Sequence, residues 1–253
     1  MLKNQRQDQI LKLVLEKGSM TVEDLMKSMN VSAATVRRDL TYLDRSKLLL
    51  RTHGGAVRLE QNIADEVPIT KRTHLQEIEK QQIASRCLQE IREGSIIYIG
   101  AGTTGRSLAS MLGIFDHLTV VTNDIHVACE VCDTKNALIV AGGQLKPESS
   151  TLYGFFTTQM LQEFRIDDAF MSVDAIDTEK GFMDFGIDEV GIKRLVIKNS
   201  SRTVMMCDSS KFGRRAFIEV CGFEDVNCIV TDRKIDENQM RKVRDNGLNL
   251  ILA

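Results

Sequence analysis

Two adjacent arginines follow a run of small residues in the segment 31–40, which reads VSAATVRRDL. Its apolar residues recur every three or four positions, a spacing that predicts an amphipathic helix. At about 100° per residue, small and polar residues fall on the side that faces away from the apolar stripe. Small residues let a helix end approach a groove closely, and arginines bond phosphates and guanine edges. The candidate contact residues are Ser32, Ala34, Thr35, Arg37, Arg38 and Thr41.

A second set of polar residues follows predicted strands later in the chain. Backbone amides of glycine-rich turns, hydroxyls and lysines hold phosphate groups, and aspartates bind sugar hydroxyls. In parallel α/β sheets, ligands bind at the carboxyl ends of the strands. A single glycine-rich turn is often only a tight turn, but several polar strand ends in one sheet are a stronger signal. The strand ends are Gly102-Thr103-Thr104, Thr122-Asn123-Asp124, Gly142-Gly143, Asp174 and Asp208-Ser209-Ser210-Lys211.

The composition is that of an ordinary globular protein, and 253 residues suffice for a sizeable core and two domains. No apolar run could span a bilayer and the N-terminus lacks the apolar core of a secretory signal, so we expect a cytoplasmic protein without membrane contact. Residues 1–60 contain 11 of the 33 Lys and Arg residues and 7 of the 35 Asp and Glu residues. The remaining residues contain 22 basic and 28 acidic side chains, so the first part is net positive and the rest is net negative. A basic N-terminal unit on an acidic body favours a polyanionic partner for the first part.

The first sixty residues contain three predicted helices. The first ends at Gly18, and Thr21 caps the second, with Asp24 three residues on. Asn30 ends the second helix, and Ser32 caps the third. Two helices joined by a short turn, with a basic outward face on the second, are typical of a helix-turn-helix. The alternative is an ordinary amphipathic helix whose arginines are merely solvated. The apolar stripes are Ile10, Leu11, Val14 and Leu15, then Val22, Leu25, Met26 and Met29, then Ala33, Val36, Leu40 and Leu43.

Residues 48–59, LLLRTHGGAVRL, favour the helix-turn-helix interpretation. They predict two short strands, Leu48–Arg51 and Ala56–Leu59, around an HGG turn. Such a β-wing beside a helix presents polar residues to phosphates or to the minor groove. His53 has neither a cysteine nor a second histidine near it, so we predict no metal site there. The wing residues available for contact are Arg51, His53, Gly54 and Arg58.

The same stretch resembles a known family. The run R-x₃-I-L-x₆-G-x₂-T-V-x₂-L-x₅-V-S-x₂-T-V-R-R-D-L-x₂-L-x₆-L-R-T-H-G-G-A extends from Arg6 to Ala56. It is similar to the N-terminal winged helix-turn-helix of the DeoR family of bacterial transcriptional regulators. The resemblance implies that the HGG turn belongs to the wing. It also implies a recognition helix that carries Ser32, Thr35, Arg37 and Arg38.

Residues 60–70 are polar, aperiodic and contain Pro68, and they predict a linker between a domain of residues 1–59 and one of residues 71–253. From Gly94 onward, apolar strands alternate with helical segments, which predicts an open, mostly parallel α/β sheet with helices on both faces. The predicted strands are SIIYIG, LTVVT, ALIVAG, DAFMSV, TVMMC, NCIVT and LNLIL. Before them, residues 71–92 predict a helix with a buried side of Ile78, Ile83, Ala84, Cys87, Leu88 and Ile91.

This second region resembles the DeoR effector domain from about Gly94 to Asp232, with GAGTT, VTN, AGG and DSSKFG in the family's order. That domain is similar in fold to ribose 5-phosphate isomerase and usually senses a phosphorylated sugar or sugar derivative. The resemblance therefore implies an effector site at the polar strand ends, joined by a basic residue of DEVGIKR. The implied effector-binding residues are Gly102, Thr103, Thr104, Asn123, Gly143, Asp174, Lys193, Asp208 and Lys211.

Four positions depart from the family pattern. Gly100 stands where aspartate is common, and Asp124 stands where serine is usual. Ser172 and Ala175 replace common glycines. The phosphate turn is intact, but the part that would read the sugar differs, so the resemblance does not identify the ligand.

The six cysteines are scattered through apolar segments, which predicts free thiols rather than a disulfide framework. In HVACEVC, His126, Cys129 and Cys132 are spaced like ligands. On a helix, however, His126 and Cys132 are about 600° apart and hence on different faces. We therefore predict no metal site and expect both cysteines to pack in the core.

These features favour a DNA-binding transcriptional regulator, most simply a repressor of a carbohydrate catabolism operon that a phosphorylated sugar controls. A single winged helix reads few base pairs, so we expect a homo-oligomer, a dimer or tetramer, on a double-stranded DNA operator. We expect neither a cofactor nor enzymatic activity. One alternative is an isomerase-like enzyme with an appended N-terminal domain, for which Asp174 and Lys193 would be the acid–base pair. Another is a protein-interaction adaptor, against which the paired arginines argue.

Overall fold

The computed structural model describes residues 3–45, 48–57 and 75–253. The chain divides into two compact units, residues 1–62 and residues 63–253. The predictions for Arg58, for the linker 60–70 and for the first residues of the helix from 71 lie outside the described residues. Among the helices that are described, none has the length and apolar character needed to cross a membrane.

The N-terminal unit combines three helices with a small antiparallel sheet. Its elements are α1 (Lys3–Lys17), β1 (Ser19–Thr21), α2 (Val22–Met29), α3 (Ala33–Arg45), β2 (Leu50–Arg51) and β3 (Gly55–Val57). The order of the strands in the sheet is β1-β3-β2. The hydroxyl of Thr21 accepts the Asp24 amide at 3.1 Å, and Asn30 ends α2 in the left-handed region with φ 52°. Both predicted ends of α2 are therefore confirmed. The sequence did not predict β1.

A buried carboxylate joins α3 to α1. Asp39 is 1% exposed, and it accepts hydrogen bonds from Nε of Arg6 at 2.6 Å and from the side-chain amide of Gln7 at 3.0 Å. A buried charge is tolerated only when it is paired in this way. Apolar residues of the three helices form the core of this unit, including Ile10, Val14, Leu25, Val36, Leu40 and Leu43.

The second unit is built on a seven-stranded sheet in which every neighbouring pair is parallel. Its strands are β4 (Ile96–Ile99), β5 (Thr119–Thr122), β6 (Ala137–Val140), β9 (Ile166–Met171), β12 (Ser200–Met206), β14 (Cys228–Thr231) and β15 (Asn249–Leu252). They are the seven strands that the sequence predicts, and their order is β15-β14-β12-β9-β4-β5-β6. The predicted parallel α/β architecture is confirmed.

Helices cover both faces of this sheet because successive strand residues point to opposite sides. The helices are α4 (Glu77–Leu88), α5 (Thr103–Ala109), α6 (Ile125–Cys132), α7 (Phe155–Gln162), α8 (Ile187–Asn199) and α9 (Glu237–Asp245). Ile97 and Phe170 face one core, together with α4, α5 and α6, whereas Tyr98 and Met171 face the other, together with α7, α8 and α9.

The prediction that Ile78 lies on the buried side of α4 is wrong. Ile83, Ala84 and Cys87 are buried as predicted, but Ile78 is 65% exposed. Nine residues separate Ile78 from Cys87, which is about 180° of helical rotation. Ile78 therefore points away from the sheet. The helix also ends at Leu88 rather than near residue 92, and Ile91 packs from the following loop.

Short antiparallel elements, which the sequence analysis missed, follow two of the parallel strands. A hairpin of β7 (Gln144–Lys146) and β8 (Thr151–Tyr153) follows β6. A three-stranded sheet follows β9 and consists of β10 (Ala175–Asp177), β11 (Gly181–Asp184) and β13 (Ile218–Cys221). Its strand order is β10-β11-β13. With only three or four residues each, these strands have too little periodicity to be recognised.

Candidate functional site

The outward face of α3 carries the two arginines. Ala34, Arg37 and Arg38 are exposed, and Tyr42 beside them is 51% exposed. Within the part of the chain that the structure describes, neither guanidinium takes part in a hydrogen bond or ion pair. The prediction that these side chains point away from the core is therefore confirmed. Both are available to bond an anion.

Local hydrogen bonds fix the two ends of this face. The Oγ of Ser32 accepts the Thr35 amide at 3.4 Å and lies 3.1 Å from the Thr35 hydroxyl, so Ser32 caps α3 as predicted. One turn after Arg37, the Thr41 hydroxyl donates to the Arg37 carbonyl oxygen at 2.7 Å. It also accepts Nη1 of Arg51 at 2.6 Å. The guanidinium of Arg51 is thereby held against the α3 face.

The first strand of the wing is shorter than predicted, because β2 comprises only Leu50–Arg51. Residues 58 and 59 of the predicted second strand lie outside the described residues. The turn of the wing comprises residues 52–54, and Gly55 belongs to β3 rather than to the turn. Gly55 is required there because a Cβ at this position would lie 2.1 Å from the Met20 carbonyl oxygen of β1. The sheet thus depends on close approach to a strand that the sequence did not reveal. His53 and Gly54 are exposed at the tip.

A cleft lies at the carboxyl ends of β4 and β9. It brings together three of the predicted effector residues, Gly102, Asp174 and Lys193. The other residues that line it are Ala101, Ser149, Ser172, Val173 and Glu189. Chemically, the cleft combines one ammonium, two carboxylates and two hydroxyls, a set that suits a polyhydroxylated ligand with an anionic group.

Lys193 is the ammonium of this cleft. Its Nζ donates to the Ser172 carbonyl oxygen at 2.7 Å and forms an ion pair with Asp184, whose other oxygen accepts the Asp174 amide at 2.7 Å. Burial raises the pKa of Asp184. Burial by itself would lower the pKa of Lys193, but the surrounding carboxylates, Asp184 foremost, raise it overall. The lysine therefore stays protonated, with two of its N–H groups committed to the protein.

Two polar lining residues, Glu189 and Ser149, are not predicted from the sequence. Glu189 lies four residues before Lys193 on α8, and its carboxylate pairs with Nζ of Lys146 from the hairpin at 3.3 Å. That i, i+4 spacing was the available signal. The hydroxyl of Ser149 lies 2.7 Å from that of Thr151, and a serine in a loop offers no comparable signal.

The predicted phosphate turn is occupied by a carboxylate of the protein itself. Gly102 has φ 127°, a conformation that favours glycine, and its N–H donates to Oδ2 of Asp124 at 3.2 Å. The other oxygen of Asp124 caps α6 through the His126 and Val127 amides at 2.7 and 3.2 Å. Asp124 is 1% exposed, and burial raises its pKa. An anionic ligand at Gly102 would have to compete with this carboxylate.

The remaining predicted effector residues do not line the cleft. Thr103 and Thr104 begin α5 beside it. The Asn123 side chain accepts the Tyr98 hydroxyl at 2.6 Å and donates to the Leu152 carbonyl oxygen at 2.9 Å, so it ties the hairpin to the sheet. Gly143 packs tightly against Tyr153 and Thr157. Asp208 caps a 3₁₀ turn, and Lys211 ends that turn.

The expectation that both cysteines of HVACEVC are buried is wrong. Cys129 and Cys132 are exposed, while Cys87, Cys207, Cys221 and Cys228 are buried. The core side of α6 is formed by Val127 and Val131, which leaves the two cysteines facing outward. Across the residues that the structure describes, no group of three or more histidine, cysteine or acidic side chains is arranged to hold a metal ion.

Both units match the profiles of known protein domains. Residues 6–62 match the profile of the DeoR-like helix-turn-helix domain, and residues 75–233 match that of the DeoR C-terminal sensor domain. The glycerol-3-phosphate regulon repressor of Escherichia coli K12 is 32% identical over 254 residues, all of both chains. A putative aga operon transcriptional repressor of E. coli O157:H7 is 28% identical, over 99% of this chain and 94% of its own.

Among solved structures, ribose 5-phosphate isomerase A of Methanocaldococcus jannaschii matches with a TM-score of 0.41 and 17% identity, over 54% of each chain. The sensor-domain profile covers more than half of the chain, and the E. coli K12 repressor aligns along its whole length. The chain therefore belongs to the DeoR family of transcriptional regulators.

Proposed function

We propose that this chain is a repressor of a carbohydrate catabolism operon and that it binds its operator through α3 and the wing. The observation that carries the proposal is the exposed face of α3, where Arg37 and Arg38 follow the small residue Ala34. Arginines on such a face bond phosphates and guanine edges in the major groove. The proposed contact residues are Ser32, Ala34, Thr35, Arg37, Arg38, Thr41, Arg51, His53 and Gly54.

The cleft at the ends of β4 and β9 is the proposed effector site, and a phosphorylated sugar or sugar derivative is the proposed effector. Lys193 supplies a buried positive charge that attracts an anion. Asp174 and Glu189 supply acceptors for sugar hydroxyls. A relative named as a glycerol-3-phosphate regulon repressor supports a phosphorylated ligand. Contacts to the effector from Thr103, Thr104, Asn123, Gly143, Asp208 and Lys211 stay predictions.

In this proposal, residues 1–59 bind DNA and residues 60–70 form a linker. Residues 71–253 bind the effector, form a dimer or tetramer, and control DNA binding by the first domain. An effector changes operator affinity only if it binds two conformations with different affinity. The chain is proposed to act without catalysis, because the ion pair of Lys193 and Asp184 is already bonded to backbone groups at Ser172 and Asp174.

A gel-shift titration on the DNA upstream of the chain's own gene tests the proposal, at two salt concentrations and with a panel of sugar phosphates. We expect sequence-specific binding that weakens as the salt concentration rises. One sugar phosphate should change the operator affinity, whereas its unphosphorylated parent should not. Equal affinity for unrelated DNA at matched salt would contradict operator recognition. Turnover of a sugar phosphate by the purified chain would instead favour the isomerase-like alternative.

A further inference from the structure

Two thiols face outward on α6 and do not line the proposed effector cleft. Cys129 and Cys132 are three residues apart, which places them as neighbours on one side of the helix. The Sγ of Cys132 donates to the Cys129 carbonyl oxygen at 3.1 Å, so the Cys132 sulfur lies back over the turn that carries Cys129. Both side chains are exposed.

We propose that Cys129 and Cys132 form a dithiol site for a soft, thiophilic centre that bonds two sulfurs, of which trivalent arsenic is the representative. Thiolates select soft centres over hard cations. Structural zinc requires about four protein ligands, and no such group exists among the residues that the structure describes. The pair therefore fits a centre of low coordination number.

Geometry favours a bridging atom over a disulfide. Neighbouring side chains three residues apart on a helix have Cβ atoms about 5–6 Å apart. A disulfide needs a Cβ separation of about 3.5–4.5 Å and a sulfur–sulfur bond of about 2.05 Å, so the last turn of α6 would have to unwind. A bridging centre with two bonds of about 2.3 Å, the length of a zinc–sulfur bond, accepts sulfurs several ångströms apart. The intact helix can therefore hold it.

The other four cysteines do not compete for such a centre in the folded chain. Burial raises the pKa of Cys207 and of Cys221 to about 12, and it also raises the pKa of Cys87 and of Cys228. A buried thiol that resists ionisation is a poor nucleophile. The folded protein thus presents one reactive pair.

Phenylarsine oxide is the probe that tests this site. The two thiols transfer their protons to the arsenic-bound oxygen, which leaves as water while two arsenic–sulfur bonds form, so no oxidant is needed. We expect the full chain to take up one phenylarsenic group that survives excess 2-mercaptoethanol and is removed by 1,2-ethanedithiol. Trypsin releases residues 107–135 as one peptide with both cysteines and no others, so mass spectrometry of the unmutated protein locates the adduct.

Serine variants separate a chelate from two independent thiols. Cys129→Ser and Cys132→Ser should each lower retention in 2-mercaptoethanol by about tenfold or more, because the second bond is then no longer intramolecular. Cys228→Ser is the matched control, since a serine hydroxyl can still accept the hydrogen bond that Arg202 donates to this position. Retention by either single variant at the unmutated level, release from the unmutated protein by the monothiol, or an adduct outside residues 107–135 would each overturn the proposal.

Discussion

The carboxylate of Asp124 accepts a hydrogen bond from the Gly102 N–H, in the turn where a phosphorylated effector is proposed to bind. Replacing it by asparagine keeps an effective N-cap for α6 but removes the charge that faces Gly102. We expect Asp124→Asn to bind the responsive sugar phosphate about tenfold more tightly, equivalent to about 1.4 kcal/mol, because like charges at this distance repel strongly in a protein interior. Isothermal titration calorimetry measures the change.

The control for this charge is Asp236→Asn. Asp236 caps α9 in the same manner, through the Asn238 and Gln239 amides, but does not line the cleft. Its variant should leave effector affinity unchanged. If Asp124→Asn binds the sugar phosphate no better than the unmutated chain, then no phosphate is read at Gly102.

Arg38 is the residue on which operator recognition is expected to depend most directly. It lies on the exposed face of α3, so Arg38→Ala should weaken specific binding by about 1–3 kcal/mol. Lys12→Ala removes the same charge from an exposed position of α1 and should change specific binding little. Fluorescence anisotropy with operator DNA at matched salt compares the two variants. Similar losses for both would mean that only total charge matters.

The sheet of the N-terminal unit depends on a close approach between two of its strands. A Cβ at Gly55 would lie 2.1 Å from the Met20 carbonyl oxygen, whereas a Cβ at Gly54 would meet nothing within 4 Å. Gly55→Ala should therefore destabilise this unit by about 1–3 kcal/mol through overpacking. Gly54→Ala should stay within about 0.5 kcal/mol of the unmutated chain. Thermal unfolding followed by circular dichroism distinguishes them, and equal stabilities would refute the packing argument.

For the whole molecule, the two compact units predict separable activities. The second unit has its own two cores, one on each face of the sheet, and needs no residue of the first to complete them. We expect residues 70–253 to fold alone and to bind the responsive sugar phosphate with the affinity of the full chain, but not to bind DNA. A circular dichroism spectrum without helix and strand signals would contradict independent folding.

The sequence by itself determined the features that depend on neighbours along the chain. The caps at Thr21 and Ser32, the end of α2 at Asn30 and the seven parallel strands all follow from local hydrogen bonding or from hydrophobic periodicity. The outward direction of Arg37 and Arg38 follows likewise from helical geometry. Gly102 and Asp174 are predicted as polar strand ends, whereas Lys193 follows only from the resemblance to the DeoR effector domain and lies within α8.

Only the tertiary structure decided which of these residues meet. The cleft forms because β4 and β9 are neighbours although β5, β6 and the hairpin lie between them in sequence. That order brings Glu189 and Ser149 into the cleft and leaves Lys211 outside its lining. The pairing of Gly102 with Asp124 and the exposure of Cys129 likewise depend on how helices pack on the sheet. Periodicity reveals that a helix has a buried side, but the packing partner decides which residues that side includes.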